Sequence, residues 1–173
     1  MLAAKETAAA ARADARAGRY LIFQLGHEEF GIRAPKVREI MGLQELTAVS
    51  RAPAQVKGVI HPRGQVGPVI DLRLTFGMPA AEYGRGACII VTQAQGETGP
   101  ALMGIVVDGV SEVLDLTAGE IGEIDGAPDF GEKAARHYLL GMAKVKGKVK
   151  ILLDIDKALT SQDLHNLNMV LNR

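Results

Sequence analysis

The apolar residues of this chain fall in short runs of branched side chains, cut by glycine and proline, and few recur at helical spacing. RYLIFQL (19–25) and FGIRA (30–34) flank the turn-like GHEE, which predicts a hairpin. GVI (58–60) and PVIDL (68–72), separated by a segment rich in Pro and Gly, predict a second. Further strands are expected in GACIIVTQAQ, in ALMGIVVDGVSEVLDL, and in HYLLGMAKVKG and KVKILLDIDK, a last pair split at Gly147 and Lys148. APKVREIMG fits either a short helical turn after Pro35 or an irregular strand. AGEIGEIDGAPDFGEKAAR reads as a loop that Ile121 and Ile124 pin to the core.

Helical signals are confined to the two ends. Residues 3–17 have high helix propensity, but alanine buries little surface and an isolated helix of that length is marginal in water, so 1–18 reads as an extension. TSQDLHNLNMVLN places Leu164, Leu167 and Leu171 on one face behind Thr160 or Ser161 as N-cap, which predicts an amphipathic helix over 160–173. Many short strands without regularly alternating long helices predict a mainly β fold, a barrel or a sandwich.

Composition narrows the partners. A chain of 173 residues that is 47% hydrophobic buries one core, as one domain or one with two lobes. Twenty basic and twenty acidic residues cancel, which argues against nucleic acid or anionic lipid as partner. The balance is local as well as global only in part: residues 31–73 hold seven bases and three acids, a net +4, whereas residues 101–141 hold eight acids and two bases, a net −6. Such polarity would orient two partners or align copies head to tail. No apolar run reaches the roughly 18 to 20 residues of a spanning helix, no leucine-rich leader is present, and Cys88 is the lone cysteine, so a cytoplasmic location is expected.

Candidate chemistry is sparse. His27, His61, His137 and His165 lack the spacing of a zinc site, and neither a phosphate loop, a GxGxxG turn nor a GxSxG elbow occurs, so no metal and no cofactor is expected. In GVIHPRGQVGPVIDLR, His61 as base, Asp71 as its orienter and Arg63 as an anion clamp would meet the needs of acid–base catalysis if His61 and Asp71 were cross-strand neighbours. The alternative is a hairpin stiffened by Pro62 and Pro68 that presents Arg63 to a partner at small entropic cost.

The order of these segments resembles the CheW family of bacterial chemotaxis coupling proteins. YLIFQLGHEEFGIRAPKVREI is similar to the family's opening, VKGVIHPRGQVGPVIDLRLTFG to its middle, and GIVVDGVSEVLDL with YLLGMAKVKGKVKILLDIDKAL to its second half, over residues 19–159. The resemblance implies two packed SH3-like five-stranded β-barrel lobes, with no enzymatic activity. It also implies two partners, the cytoplasmic tip of a chemoreceptor and the regulatory domain of a CheA-type histidine kinase. By position it implies contact roles for Val37, Glu39, Gly58 and Arg63, and for Val107 and Val110 in a second-barrel segment. The chain departs from the family in carrying His61-Pro62-Arg63-Gly64 for the usual Asn-Leu-Arg-Gly, and Gly67 where a branched residue is common. A coupling-like module of another pathway, a small-ligand barrel using His61, Arg63 and Asp71, and weak self-association are the competing expectations.

Overall fold

The computed structural model describes residues 16–43, 56–60, 66–76, 78, 82–96, 99–122 and 138–159. Its strands are β1 (Gly18–Leu25), β2 (Glu28–Arg33), β3 (Val37–Gly42), β4 (Val56–Ile60), β5 (Gly67–Asp71), β6 (Cys88–Gly96), β7 (Gly99–Val107), β8 (Gly109–Leu116), β9 (Ile121–Gly122), β10 (Leu139–Val145) and β11 (Lys148–Leu153). Two short helices follow β5 and β11: α1 (Leu72–Thr75) and α2 (Ile155–Leu159). The expected helix over 160–173, the alanine-rich residues 1–15, and Ile124 lie outside the described residues. Arg16, within the expected 1–18 extension, is buried, and its carbonyl accepts from the Tyr20 hydroxyl.

The strands form two sheets, one of six in the order β8-β1-β2-β11-β10-β9 and one of five in the order β3-β6-β7-β5-β4. The expectation of two five-stranded lobes misses β9, two residues that follow a 3-10 turn at Ala118–Glu120 and pair with Met142 and Ala143. Each sheet curls around an apolar interior of its own. Leu116 at one edge of the larger sheet and Ile121 at the other share a cluster with Tyr20, Ile22, Ala143 and Leu152. The smaller sheet encloses Ile60, Val69, Ile89, Val91, Leu102 and Val106.

Between the lobes lies a third and larger core. Along β1, Tyr20 and Ile22 face their own lobe while Leu21, Phe23 and Leu25 face the shared core; along β7, Leu102 and Val106 face inward while Met103, Ile105 and Val107 face it. Because a strand's side chains alternate, two apolar faces require the unbroken runs YLIF, CIIV and GIVV rather than a polar alternation. Phe30 is the centre of this core, stacked 5.9 Å from Phe23 and 5.5 Å from Phe76.

The lobes do not correspond to halves of the sequence. β1 and β2 lie in the six-stranded sheet, β3 to β7 in the five-stranded one, and β8 to β11 return to the first. The first crossing is the 3-10 turn Ala34–Lys36, which leads into β3, so APKVREIMG is a turn and a strand in succession. The second is Asp108, between β7 and β8. Each sheet contains one parallel pair, β2 with β11 and β5 with β7; the first joins strands on either side of the excursion through the other lobe, and the second is connected within its own lobe by way of β6. The β10–β11 turn places Lys146 (φ 52°) and Gly147 (φ 80°) in the left-handed region that a two-residue hairpin of this twist requires.

Candidate interaction surface

Among the described residues, the exposed large apolar side chains lie on or beside two of the edge strands, β3 and β8, apart from Val149 on β11. Ile40 (49% exposed) lies on β3 with Leu43 (43%) just beyond its end, and Val110 (37%) and Val113 (53%) lie on β8. Among the described residues, β3 pairs only with β6 and β8 only with β1, so each is an edge strand of its sheet.

A bulge aims each pair of residues. In β3, Val37 is opposite Thr92 and Glu39 opposite Val91, which leaves Arg38 as the extra residue; in β8, Glu112 is opposite Ile22 and Val110 opposite Phe23, which leaves Ser111 extra. An extra residue reverses the alternation, so positions three apart share a face. Val37 and Ile40, opposite Thr92 and Ile90, therefore lie on the face that carries Ile90 into the shared core. Val110 and Val113, opposite Phe23 and Leu21, lie on the corresponding face of the other sheet. Both edges thus extend the apolar surface of the interlobe core to solvent, with Arg38, Glu39, Glu112 and Asp115 exposed beside them.

The expected contact residues divide into three groups. Glu39 and Val110 are exposed on β3 and β8, and Val37 is half-buried against the shared core. Gly58 is buried at the β4–β5 bulge, and Val107 is fully buried in the shared core. Neither presents a side chain to solvent, although Gly58 lies on β4, at the edge of the five-stranded sheet. Val107 also belongs to the five-stranded lobe rather than to a second-barrel segment shared with Val110, because the chain changes sheets at Asp108. Arg63 lies outside the described residues. Sequence reading missed Ile40, Leu43 and Val113 as surface residues: the bulged register sets the faces of Ile40 and Val113, and Leu43 lies just beyond the end of β3.

Of the His61, Arg63 and Asp71 grouping, His61 and Arg63 lie outside the described residues; Asp71 stands at the end of β5, four residues and about 13 Å along the strand from Gly67, which pairs with Ile60. Asp71 is 2% exposed and caps α1, its Oδ1 accepting from the Arg73 backbone N–H at 3.0 Å. Gly67 has a packing reason: a Cβ there would stand 2.7 Å from the Leu102 carbonyl oxygen, so a branched side chain has no room.

Next to Asp71 is a compact polar cluster. Arg73, 5% exposed, donates to Asp108 Oδ1 and lies 4.7 Å from the centre of the Tyr83 ring. Burial, and after it the Asp71 carboxylate, push the Tyr83 phenol's pKa up. Cys88, half-buried at the start of β6, has its thiol pushed up by burial, the environment of an inert rather than a reactive cysteine. A cavity of about 400 Å³ opens between β2 and α2, where Lys36 and Asp156 on its wall pair with each other at 3.1 Å. Among the described residues, no group of three His, Cys, Asp or Glu could hold a metal ion, and no helix is long and apolar enough to cross a membrane.

Comparison with known proteins gives one consistent result. The chain is 41% identical over 145 residues to the chemotaxis protein CheW of Klebsiella aerogenes, covering 84% of this chain and 83% of that one. It is 34% identical to CheW of Rhizobium meliloti, covering 84% and 90%, and 31% identical to protein FrzA of Myxococcus xanthus, covering 81% and 84%. Among solved structures, the scaffolding protein TtCheW from Thermoanaerobacter tengcongensis has the same fold, with a TM-score of 0.67 at 24% identity over 79% of this chain and 88% of that one. The CheW-like domain model matches residues 19–163, and on that match and these relatives the chain belongs to the CheW-like family.

Proposed function

We propose that this protein is a non-enzymatic adaptor of chemotaxis signalling that couples chemoreceptors to a CheA-type histidine kinase. The observation that carries the two-partner reading is the pair of bulged edge strands. Each lobe offers its own exposed branched residues with a charged rim, the composition of a protein contact surface. One surface takes the cytoplasmic tip of a receptor and the other the kinase's regulatory domain, in the cytoplasm, and the fixed packing of the lobes holds the two at a set angle.

The test is calorimetric titration of the protein with each partner separately. Ile40→Asp should weaken one partner, and Val113→Asp the other, each by about 1 to 3 kcal/mol, with melting unchanged. Arg63→Ala belongs in the same series, and its loss of affinity would assign the 61–65 segment to one of the two surfaces. If both edge variants bind both partners as the parent does, the contacts lie elsewhere.

A further inference from the structure

We propose that Asp108 is a positioning residue whose carboxylate clamps the second lobe crossing and thereby sets the placement of β8. Asp108 stands alone between β7, which ends in the buried Val107, and β8, which begins at Gly109 and carries the exposed Val110 and Val113. Its two carboxylate oxygens are divided between the lobes. Oδ1 receives the Arg73 guanidinium from α1, in the five-stranded lobe, while Oδ2 accepts the Gly26 N–H at 2.6 Å from the β1–β2 turn of the six-stranded lobe. Its own N–H donates to the Gln24 carbonyl at 2.9 Å. The crossing is therefore held at three points, and both side-chain points pass through one carboxylate.

Arg73 is itself held from both sides. Its backbone N–H donates to Asp71 and its guanidinium lies over Tyr83, while the Met78 N–H donates to the Arg73 carbonyl at 2.7 Å. A guanidinium fixed in this way offers one geometry to its acceptor, and a carboxylate matches it better than a neutral group. A charge pair so enclosed contributes specificity of arrangement more than net stability. What it specifies here is where β8 leaves the five-stranded lobe, so its effect on binding rests on the coupling reading above.

The experiment uses the full chain with Asp108→Asn, which keeps an oxygen for Gly26 and removes the charge facing Arg73, and with Arg73→Lys as a second variant. Hydrogen exchange should accelerate about tenfold at the Gly26 and Asp108 amides and at the β1-facing amides of β8, with β4, β5, β10 and β11 unchanged. Affinity for the partner that Val113→Asp weakens should fall about tenfold, while the other partner is retained. Unchanged exchange at Gly26, Asp108 and β8 would overturn the proposal. So would equal acceleration throughout both lobes, or failure of both variants to fold, since either makes the pair a general stabiliser. If the exchange pattern appears while the parent protein binds neither partner, the positioning role stands and the coupling reading falls.

Discussion

The two lobes solve one problem in two ways. Each is a curled sheet with a bulged outer strand and one parallel pair, and among the described residues each holds an ion pair whose basic side chain is buried. In the six-stranded lobe the pair is Lys150 with Glu29, which joins β11 to β2 inside a single sheet. In the five-stranded lobe Arg73 reaches outward, to a carboxylate at the boundary with the other lobe. The first pair closes a lobe, and the second relates two lobes. An adaptor needs both, because a partner held by each lobe senses the other only through a fixed relation between them.

The deepest difference lies between the shared core and the two lobe interiors. Phe30→Ala removes a ring stacked between Phe23 and Phe76 and should cost about 3 to 5 kcal/mol, with both lobes melting together. Ile121→Ala, in the six-stranded interior alone, should cost less, about 2 kcal/mol, and amide exchange should rise first in β9 and β10. A larger loss for Ile121→Ala would mean that the interiors, not the shared core, dominate.

Lys150→Met tests the closing pair. It leaves Glu29 without its ammonium partner, and since that carboxylate is 18% exposed the cost should be about 2 to 3 kcal/mol by denaturant unfolding. Gly67→Val tests the five-stranded lobe, where the new side chain meets the Leu102 carbonyl; about 1 to 3 kcal/mol should be lost, and a neutral result would show that β7 can move aside.

The smallest expected effect is on pH dependence, and each lobe contributes to it. Tyr20, in the six-stranded interior, and Tyr83, against the five-stranded one, both have pKa values above the usual 10.0, chiefly through burial. A raised phenol binds its proton more tightly when folded, so its contribution is complete below that value and is lost as pH rises beyond it. Urea midpoints should therefore be flat up to about pH 10 and then decline, and Tyr83→Phe should make the decline shallower.

Much of this architecture was legible in the sequence. The hairpins at 19–34, 58–72 and 138–153 follow from branched runs and turn residues, and Ile121 was expected at the core. The long run ALMGIVVDGVSEVLDL was not separable into two strands in two sheets, because β7 is apolar on both faces and the only punctuation is Asp108-Gly109. The contact surface was legible in part. Val110 and Glu39, singled out from the family resemblance, are exposed on β8 and β3, but the bulges at Arg38 and Ser111, which no residue type announces, decide which side chains face outward. The expected pairing of His61 with Asp71 involves a residue outside those described, and Asp71 itself is buried at the end of β5 remote from Gly67, where it caps α1.

The parallel pairing of β2 with β11 has a consequence for biosynthesis. Lys150 and Glu29 are 121 positions apart, so the first hairpin to leave the ribosome lacks its neighbour until nearly all of the described chain has followed. Contacts of such sequence separation form slowly, because loop closure must precede the gain from burial. The five-stranded lobe is continuous from β3 to β7 and can form while synthesis proceeds, whereas the six-stranded lobe is completed only at the end. The exposed edge strand β3 therefore takes its place in a sheet before the sheet that carries β8 is complete.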